Sequence, residues 1–200
     1  MNGRRPAAKG DVYISDKLLT IPNILCLIRL AGALVLVPVA WRGESELFLW
    51  LFLFFAATDW LDGKLAILLN QRSIFGARLD SWADAALYAA LIFGALTMHG
   101  QALQGESLWV AAALGTYLVS TLAGFYKFKL WPSYHTRAAK TSWLLTAIAV
   151  VFLFREWELW PLRLAALAVT LTNIEAFLIT LISPQWRSDV TSIYHVLRDN

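Results

Sequence analysis

The chain has 200 residues, of which 58% are hydrophobic and only 16% are charged. A soluble domain carries about 25% charged residues, so this composition excludes an ordinary soluble fold and indicates an integral membrane protein. The net charge of +3 does not indicate nucleic-acid binding, because that function needs a basic patch on a soluble, exposed face. A single cysteine, Cys26, excludes an intramolecular disulfide.

The amino-terminal region is predicted to lack a membrane span. Residues 1–10 are polar and basic and are expected to be disordered, and a short amphipathic helix is predicted over residues 12–19. The apolar segment that begins near Ile21 is too long for the core of a cleaved signal peptide. We therefore expect it to be retained as the first span.

Six apolar segments follow, each about long enough to cross a bilayer, which takes roughly 20 residues per helix. A membrane β-barrel would show alternating polarity, whereas these segments are continuously apolar. The sequence therefore predicts an all-α membrane bundle of six transmembrane helices that forms a single domain over residues 1–200. The predicted spans are 21–41, 46–69, 78–99, 108–126, 138–155 and 159–183.

The distribution of charge predicts the orientation in the membrane. An even number of spans places both termini on one side, and the connections on that side are rich in lysine and arginine. By the positive-inside rule both termini and the connections on their side are expected to be cytoplasmic. We expect the membrane to be the inner (cell) membrane of a bacterium. The basic residues of these connections are Arg72, Arg78, Lys127, Lys129, Arg137 and Lys140.

Four aspartates stand at predicted membrane depth, where a charged side chain is costly and usually functional. Asp59 and Asp62 end the second span with i, i+3 spacing, and Asp80 and Asp84 begin the third with i, i+4 spacing. Each pair therefore shares one face of its helix. A short connection joins the two helices, so we expect the two pairs to lie close together.

This group of carboxylates predicts a metal site. Four carboxylates at close range repel one another unless cations neutralise them. Ligand sets made of oxygen favour hard cations, so Mg²⁺ or Mn²⁺ is expected. Two ions shared by four carboxylates can bind a diphosphate, activate a hydroxyl group and stabilise a leaving phosphate. The sequence thus indicates phosphoryl transfer.

Small and short side chains lie beside the predicted metal site. At 100° per residue, Gly63, Ala66 and Asn70 lie within about 40° of Asp59 around the helix axis. This face has room for a flat nucleotide. Glycine and alanine also allow close packing of membrane helices, but the neighbouring aspartates favour the nucleotide interpretation.

Residues 59–84 read D-x2-D-G-x2-A-I-x8-G-x3-D-x3-D. This pattern resembles the signature of the CDP-alcohol phosphatidyltransferases, D-x2-D-G-x2-A-R-x8-G-x3-D-x3-D, at every fixed position except Ile67. Residues 22–29, P-N-I-L-C-L-I-R, are similar to the first-span pattern of that family, P-N-x-x-T-x-x-R. The synthases of phosphatidylglycerophosphate and phosphatidylinositol phosphate are the members that we expect to be most similar.

The resemblance implies an enzyme of phospholipid biosynthesis that transfers a phosphatidyl group from CDP-diacylglycerol to a small polar alcohol and releases CMP. It also implies a homodimer. It assigns Asp59, Asp62, Asp80 and Asp84 as ligands of two metal ions, and Asp84 additionally as the base for the acceptor hydroxyl. The residues that it implies for binding the CDP moiety are Asn23, Cys26, Gly63, Ala66, Ser73 and Gly76.

Two positions depart from the family pattern. Ile67 replaces an arginine that would bind the diphosphate through a bidentate guanidinium, and Cys26 replaces a threonine. We predict a weakened or altered donor site rather than an inactive one, because all four aspartates are present. Lys64, Arg72 and Arg78 are candidates to supply the missing charge.

The acceptor is less well defined by the sequence. Arg72, Arg137 and Lys140 are candidates for binding an acceptor phosphate, which would suit glycerol 3-phosphate or inositol phosphate. Positive-inside topology and attraction to anionic lipid explain the same charges equally well. Residues 79–84, L-D-S-W-A-D, are also similar to the form found in serine-accepting members, so the acceptor stays open.

Three other functions are compatible with aspartates on membrane helices. A membrane prenyltransferase normally has two separate aspartate motifs, and an ion transporter has no role for the small-residue face. The most serious alternative is a catalytically impaired family member that serves as a nucleotide-binding, lipid-binding or assembly subunit. Glu175 in the last span also needs a partner at membrane depth, and Arg29 is a candidate.

Overall fold

Long apolar segments form helices in this protein because a helix satisfies its own backbone hydrogen bonds without water. The computed structural model describes residues 19–71, 73–129 and 136–183, except the side chains of Trp60, Ile74 and Arg137. Within these ranges it contains six helices and no strand, which confirms the all-α prediction. The helices are α1 (Ile21–Trp41), α2 (Ser45–Leu68), α3 (Ile74–Gln104), α4 (Ser107–Phe128), α5 (Arg137–Phe154) and α6 (Trp160–Ile182). The predicted amino-terminal helix and disordered residues lie outside the described ranges.

Four of these helices, α1, α3, α4 and α6, are long and apolar enough to cross a membrane. In α2 the uncharged stretch extends only from Leu47 to Thr58, because the carboxylates of Glu46 and Asp59 bound it. The apolar part of α5, Ala138–Phe154, is shorter than the four candidate spans. The chain is thus an integral membrane protein, and four of the six helices in its described part meet the requirement for a span by length and composition.

The ends of the helices match the predictions closely except in α3. This helix begins at Ile74 and extends to Gln104, so it is longer than predicted at both ends. Its backbone is non-helical at His99, where two helical segments meet at a kink. The turn before α3 contains Asn70 with a positive φ of 52°, a conformation that asparagine tolerates better than most residues. That turn places the start of α3 after the aspartate-bearing end of α2.

The helices divide into two compact units. The first unit contains residues 1–38 and 50–91, which include most of α1 and α2 and the first part of α3. Close packing brings α1 to α2, since a Cβ on Gly32 would lie only 2.3 Å from the ring of Phe55. This contact occurs one helical turn after Arg29, so it holds that part of α1 near α2.

The second unit contains residues 39–49 and 92–200, and in it α6 packs against both α4 and α5. The amide of Asn173 donates hydrogen bonds to the carbonyl of Ala113 at 3.4 Å and to Thr116 Oγ1 at 3.3 Å. Lys127 Nζ donates to the carbonyls of Thr180 and Leu181, each at 2.8 Å. These contacts join α4 to α6 and satisfy carbonyl groups at the end of a helix.

Candidate active site

The four aspartates lie together in the first unit, at the end of α2 and near the start of α3. Asp62 is buried, whereas about one third of the side chains of Asp59, Asp80 and Asp84 remains exposed. One carboxylate oxygen from each of Asp59, Asp80 and Asp84 lies within 4.8 Å of the others. The structure therefore brings together both predicted pairs, at a site that is partly open.

A buried arginine from α1 lies among these carboxylates. Arg29 is 0% exposed, and its Nη1 lies 3.0 Å from Asp59 Oδ1 and 3.0 Å from Asp80 Oδ1. Nη1 also contacts Asp84 Oδ1, and Nη2 contacts Asp62 Oδ2. One guanidinium thus contacts all four aspartates, which leaves an excess of negative charge when the carboxylates are ionised.

Sequence reasoning missed this role of Arg29. It matched Arg29 to the first-span pattern and considered Glu175 as its partner, but the contacts above join it to the aspartates. The available signal was an arginine in the middle of an apolar segment, which requires anionic partners. The sequence analysis assigned metal ions as the counter-ions of the four aspartates, and only the tertiary structure shows their contact with Arg29.

Cys26 also reaches the aspartates, one helical turn before Arg29. Its Sγ lies 3.5 Å from Asp62 Oδ2 and 3.8 Å from Asp80 Oδ1. Cys26, Asp62 and Asp80 form a second group whose ligand atoms lie within 4.8 Å of one another. The predicted nucleotide-binding cysteine therefore lies at the carboxylate cluster itself.

The donor atoms of this site suit divalent cations. Asp59, Asp80 and Asp84 form a group that offers only carboxylate oxygens, which are the preferred ligands of Mg²⁺ and Mn²⁺. Asp80 belongs to both ligand groups, so the arrangement is compatible with two ions that share a ligand. The excess of negative charge supports the same conclusion, because a single arginine does not neutralise four carboxylates.

Three of the predicted CDP-binding residues also meet in the first unit. Asn23 is buried, and a Cβ on Gly76 would lie 2.6 Å from Asn23 Oδ1. The backbone N–H of Gly76 donates to Ser73 Oγ at 2.9 Å. The side chains of Asn23 and Ser73 thus both lie against Gly76, near the start of α3.

The other small residues lie on α2, in a different environment. A Cβ on Gly63 would meet no atom within 4 Å among the described residues. Ala66 is partly exposed, and Ile67 is 54% exposed. Close packing explains the glycine at position 76 but not the one at position 63, where a Cβ would meet open space.

The predicted acceptor residues are only partly described. Arg72 and the side chain of Arg137 lie outside the described residues, whereas Lys140 is exposed on α5 in the second unit. Arg78, considered as a substitute for the missing motif arginine, is exposed near the start of α3. The acceptor-binding assignment therefore stays a prediction.

The fold and the site together define the class: an all-α membrane protein with a cluster of aspartates whose carboxylate oxygens lie close enough together to hold a metal ion. Comparison with known proteins identifies the family within this class. The family model described as CDP-alcohol phosphatidyltransferase matches residues 19–181, which is most of the chain. The chain belongs to the CDP-alcohol phosphatidyltransferase family.

Several curated relatives are similar to parts of the chain. The CDP-diacylglycerol--glycerol-3-phosphate 3-phosphatidyltransferase of Cereibacter sphaeroides is 34% identical over 145 residues, covering 67% of this chain and 63% of that protein. The CDP-diacylglycerol--glycerol-3-phosphate 3-phosphatidyltransferase 2 of Arabidopsis thaliana is 37% identical over 87 residues, covering 42% of this chain and 37% of that protein.

A relative that is named for a different product, cardiolipin, is also similar to part of this chain. The cardiolipin synthase (CMP-forming) of Streptomyces coelicolor is 43% identical over 76 residues, which is 35% of each chain. The matched regions cover less than two thirds of the length of these relatives. No solved structure matches the chain significantly.

Proposed function

We propose that this protein transfers the phosphatidyl group of CDP-diacylglycerol to a small polar alcohol and releases CMP. The observation that supports this function is the convergence of four carboxylates from α2 and α3 within the region that matches the family. Glycerol 3-phosphate is the favoured acceptor, because a relative named for that substrate covers 67% of this chain. Inositol phosphate is the next candidate.

Two Mg²⁺ or Mn²⁺ ions would be held by Asp59, Asp62, Asp80 and Asp84. When bound, such ions neutralise a diphosphate and the charge that develops on the leaving phosphate. The helices fix these carboxylates before substrate binds, because each pair projects from one face of a rigid element. Cys26 adds a sulfur atom beside Asp62 and Asp80, at a position where the family has threonine.

Asp84 is the proposed base. Its carboxylate accepts the proton of the acceptor hydroxyl while the hydroxyl oxygen forms a bond with the β-phosphorus. The bond between that phosphorus and the bridging oxygen breaks, and CMP leaves with the electron pair. The side chain of Asp84 is 37% exposed, which leaves room beside it for the acceptor hydroxyl.

The CDP moiety is expected to lie against the small residues beside the aspartates. Gly63 and Ala66 on α2 leave an open face, and Asn23, Ser73 and Gly76 offer polar atoms and backbone groups. Cys26 completes this set. Arg72, Arg137 and Lys140 are proposed to bind the phosphate of the acceptor.

The same proposal includes the position of the protein in the membrane, its oligomeric state and its partners. The lipid tails of the donor remain in the bilayer while the charged groups react at the ends of α2 and α3. Both termini and the active site face the cytoplasm of a bacterial cell, and the protein acts as a homodimer. Its substrates and membrane lipids are its expected partners, and nucleic acid is not.

A second candidate function comes from Ile67. This side chain is 54% exposed and apolar where the family has arginine, so it cannot bind a diphosphate. A family member weakened in this way would bind nucleotide or lipid, or serve in assembly, without catalysing transfer.

One assay distinguishes the two functions. Purified protein is incubated with CDP-diacylglycerol, Mg²⁺ or Mn²⁺, and a panel of acceptors that includes glycerol 3-phosphate, inositol phosphate, serine and phosphatidylglycerol. Metal-dependent release of CMP with one acceptor, absent in Asp84→Asn, supports the transferase. Binding of CDP-diacylglycerol without CMP release from any acceptor supports the impaired subunit.

A further inference from the structure

Arg29 raises a question that the proposed metal site does not answer. Its guanidinium lies between the carboxylates of α2 and α3, and Nη1 alone contacts the Oδ1 atoms of Asp59, Asp80 and Asp84. The same three residues form the group whose carboxylate oxygens can converge on one ion. Arg29 therefore provides positive charge where a divalent cation is expected.

An arginine and a cation that use the same carboxylate oxygens compete for them. Mg²⁺ binds oxygen at roughly 2.0–2.1 Å and tolerates little departure from octahedral geometry. An ion on the oxygens that face Nη1 would lie within contact distance of the guanidinium, and two cations so close repel strongly in a partly buried site. Occupation of those oxygens by metal thus requires the contacts of Arg29 to break.

The environment of Arg29 indicates that its position depends on the aspartates. The side chain is fully buried, yet its Nε has no hydrogen-bond partner among the described residues. A buried N–H without an acceptor is unfavourable. The guanidinium is therefore held mainly by carboxylates that a metal ion would also attract, rather than by a pocket that satisfies all its donors.

We propose that Arg29 is an internal counter-ion of the metal-free site and that divalent cations must displace it to bind. This inference rests on the proposed metal site. It predicts that Arg29 stabilises the metal-free protein and weakens the binding of metal. Arg29 is thus a residue that sets metal affinity, a role distinct from that of the metal ligands.

The test measures binding of Mn²⁺ to the full chain in lipid nanodiscs, with free Mn²⁺ followed by electron paramagnetic resonance. Arg29→Met keeps much of the length of the side chain and removes the charge. We expect it to bind Mn²⁺ at least about tenfold more tightly than the unchanged protein, because the repulsion between two close cations is removed. Arg29→Lys keeps a charge but has one ammonium group, so its affinity should lie between the two.

A matched control is Arg163→Met. Arg163 is also on a helix but pairs with Glu106 in the second unit, so this change should leave Mn²⁺ affinity as it was. Equal or weaker binding by Arg29→Met, with Arg163→Met unchanged, would overturn the proposed competition while leaving the metal site intact. If Mn²⁺ binds neither the unchanged chain nor Arg29→Met, the metal site itself is refuted and the inference with it.

A second measurement does not depend on the variants folding. Arginine labelled with ¹⁵N reports the guanidinium groups of the unchanged protein by magnetic resonance, with Mg²⁺ as the diamagnetic ion. The buried guanidinium should exchange its protons slowly without metal, and its signal should move or broaden as Mg²⁺ saturates the site. Metal binding that leaves every slowly exchanging guanidinium signal unchanged would contradict displacement.

Discussion

The ionic contacts of the two units differ in their balance of charge. In the first unit Arg29 contacts four aspartates, all supplied by α2 and α3. In the second unit Arg163 forms an ion pair with Glu106 at 2.6 Å, and Arg155 forms one with Glu46 at 2.9 Å. The arginine of an ion pair neutralises the charge of its carboxylate partner. The aspartate cluster has four carboxylates and one arginine, so it retains negative charge that attracts a further cation.

This difference separates a structural contact from a candidate binding site. Glu106 is buried and receives two hydrogen bonds from Arg163, which join the start of α4 to α6. That arrangement is complete without a ligand. The cluster around Arg29 is partly open and holds more carboxylates than one guanidinium neutralises, which supports the proposed metal and substrate site.

The largest expected effect is the loss of activity in Asp84→Asn. An amide cannot act as the base, so CMP release should fall by about 10²–10⁴-fold, the usual contribution of general base catalysis. The change also removes one negative charge from an over-supplied cluster, so thermal unfolding should show a retained fold. Glu46→Gln, which alters the ion pair with Arg155 in the second unit, is the matched control and should keep its activity.

Arg29→Met should lower the stability of the protein more in the absence of metal than in its presence. Removing one partner of a buried ion pair typically costs about 3–5 kcal/mol, because the remaining charge is left uncompensated. Unfolding in detergent with a chelator should show this loss, and added Mn²⁺ should recover much of it. A variant as stable as the unchanged protein without metal would show that the cluster does not need its internal cation.

The two glycines of the site should respond differently to alanine. Gly76→Ala places a Cβ 2.6 Å from the buried Asn23 and should lower stability by about 1–3 kcal/mol, as overpacking does. Gly63→Ala meets open space and should leave stability unchanged or raise it by about 0.5–1 kcal/mol. Its expected effect is a higher KM for CDP-diacylglycerol, and a normal KM would argue against a nucleotide on that face.

Ile67→Arg tests whether the donor site is weakened. Since Ile67 is 54% exposed, an arginine fits without displacing a packed side chain. A charge-assisted hydrogen bond contributes about 1.5–3 kcal/mol, so KM for CDP-diacylglycerol should fall by about tenfold or more. Ile67→Lys controls for charge without the bidentate geometry. Complete loss of activity in Ile67→Arg would mean that the pocket has adapted to isoleucine.

The smallest expected effect concerns pH and the second unit. Hydrogen bonds from Arg163 lower the pKa of Glu106 below its ordinary value of 4.5. A carboxyl group whose pKa is lower in the folded state contributes stability above its unfolded pKa, and this contribution is lost as pH falls through the folded value. The free energy of unfolding should be measured between pH 6 and pH 3, about 1.5 pH units on either side of 4.5. Over this range it should depend less on pH in Glu106→Gln than in the unchanged protein. An unchanged pH dependence would show that the pair does not contribute.

The sequence predicted the helices well because membrane segments are defined mainly by local composition. Five of the six observed helices begin and end within one or two residues of the predicted bounds. The exception is α3, where Arg78 and Gln101 lower the local hydropathy without interrupting the helix. A helix can continue past the apolar segment, since its backbone hydrogen bonds do not depend on the surrounding solvent.

The sequence by itself determined the fold class, the family resemblance and the clustering of the aspartates, because these depend on hydropathy and on spacing along two neighbouring helices. Only the tertiary structure placed Arg29 among the carboxylates and Cys26 beside them. It also separated Gly76, which is packed against Asn23, from Gly63, which faces open space. The physical reason is that contacts between α1 and the other helices depend on how the helices pack, which spacing within one helix does not specify.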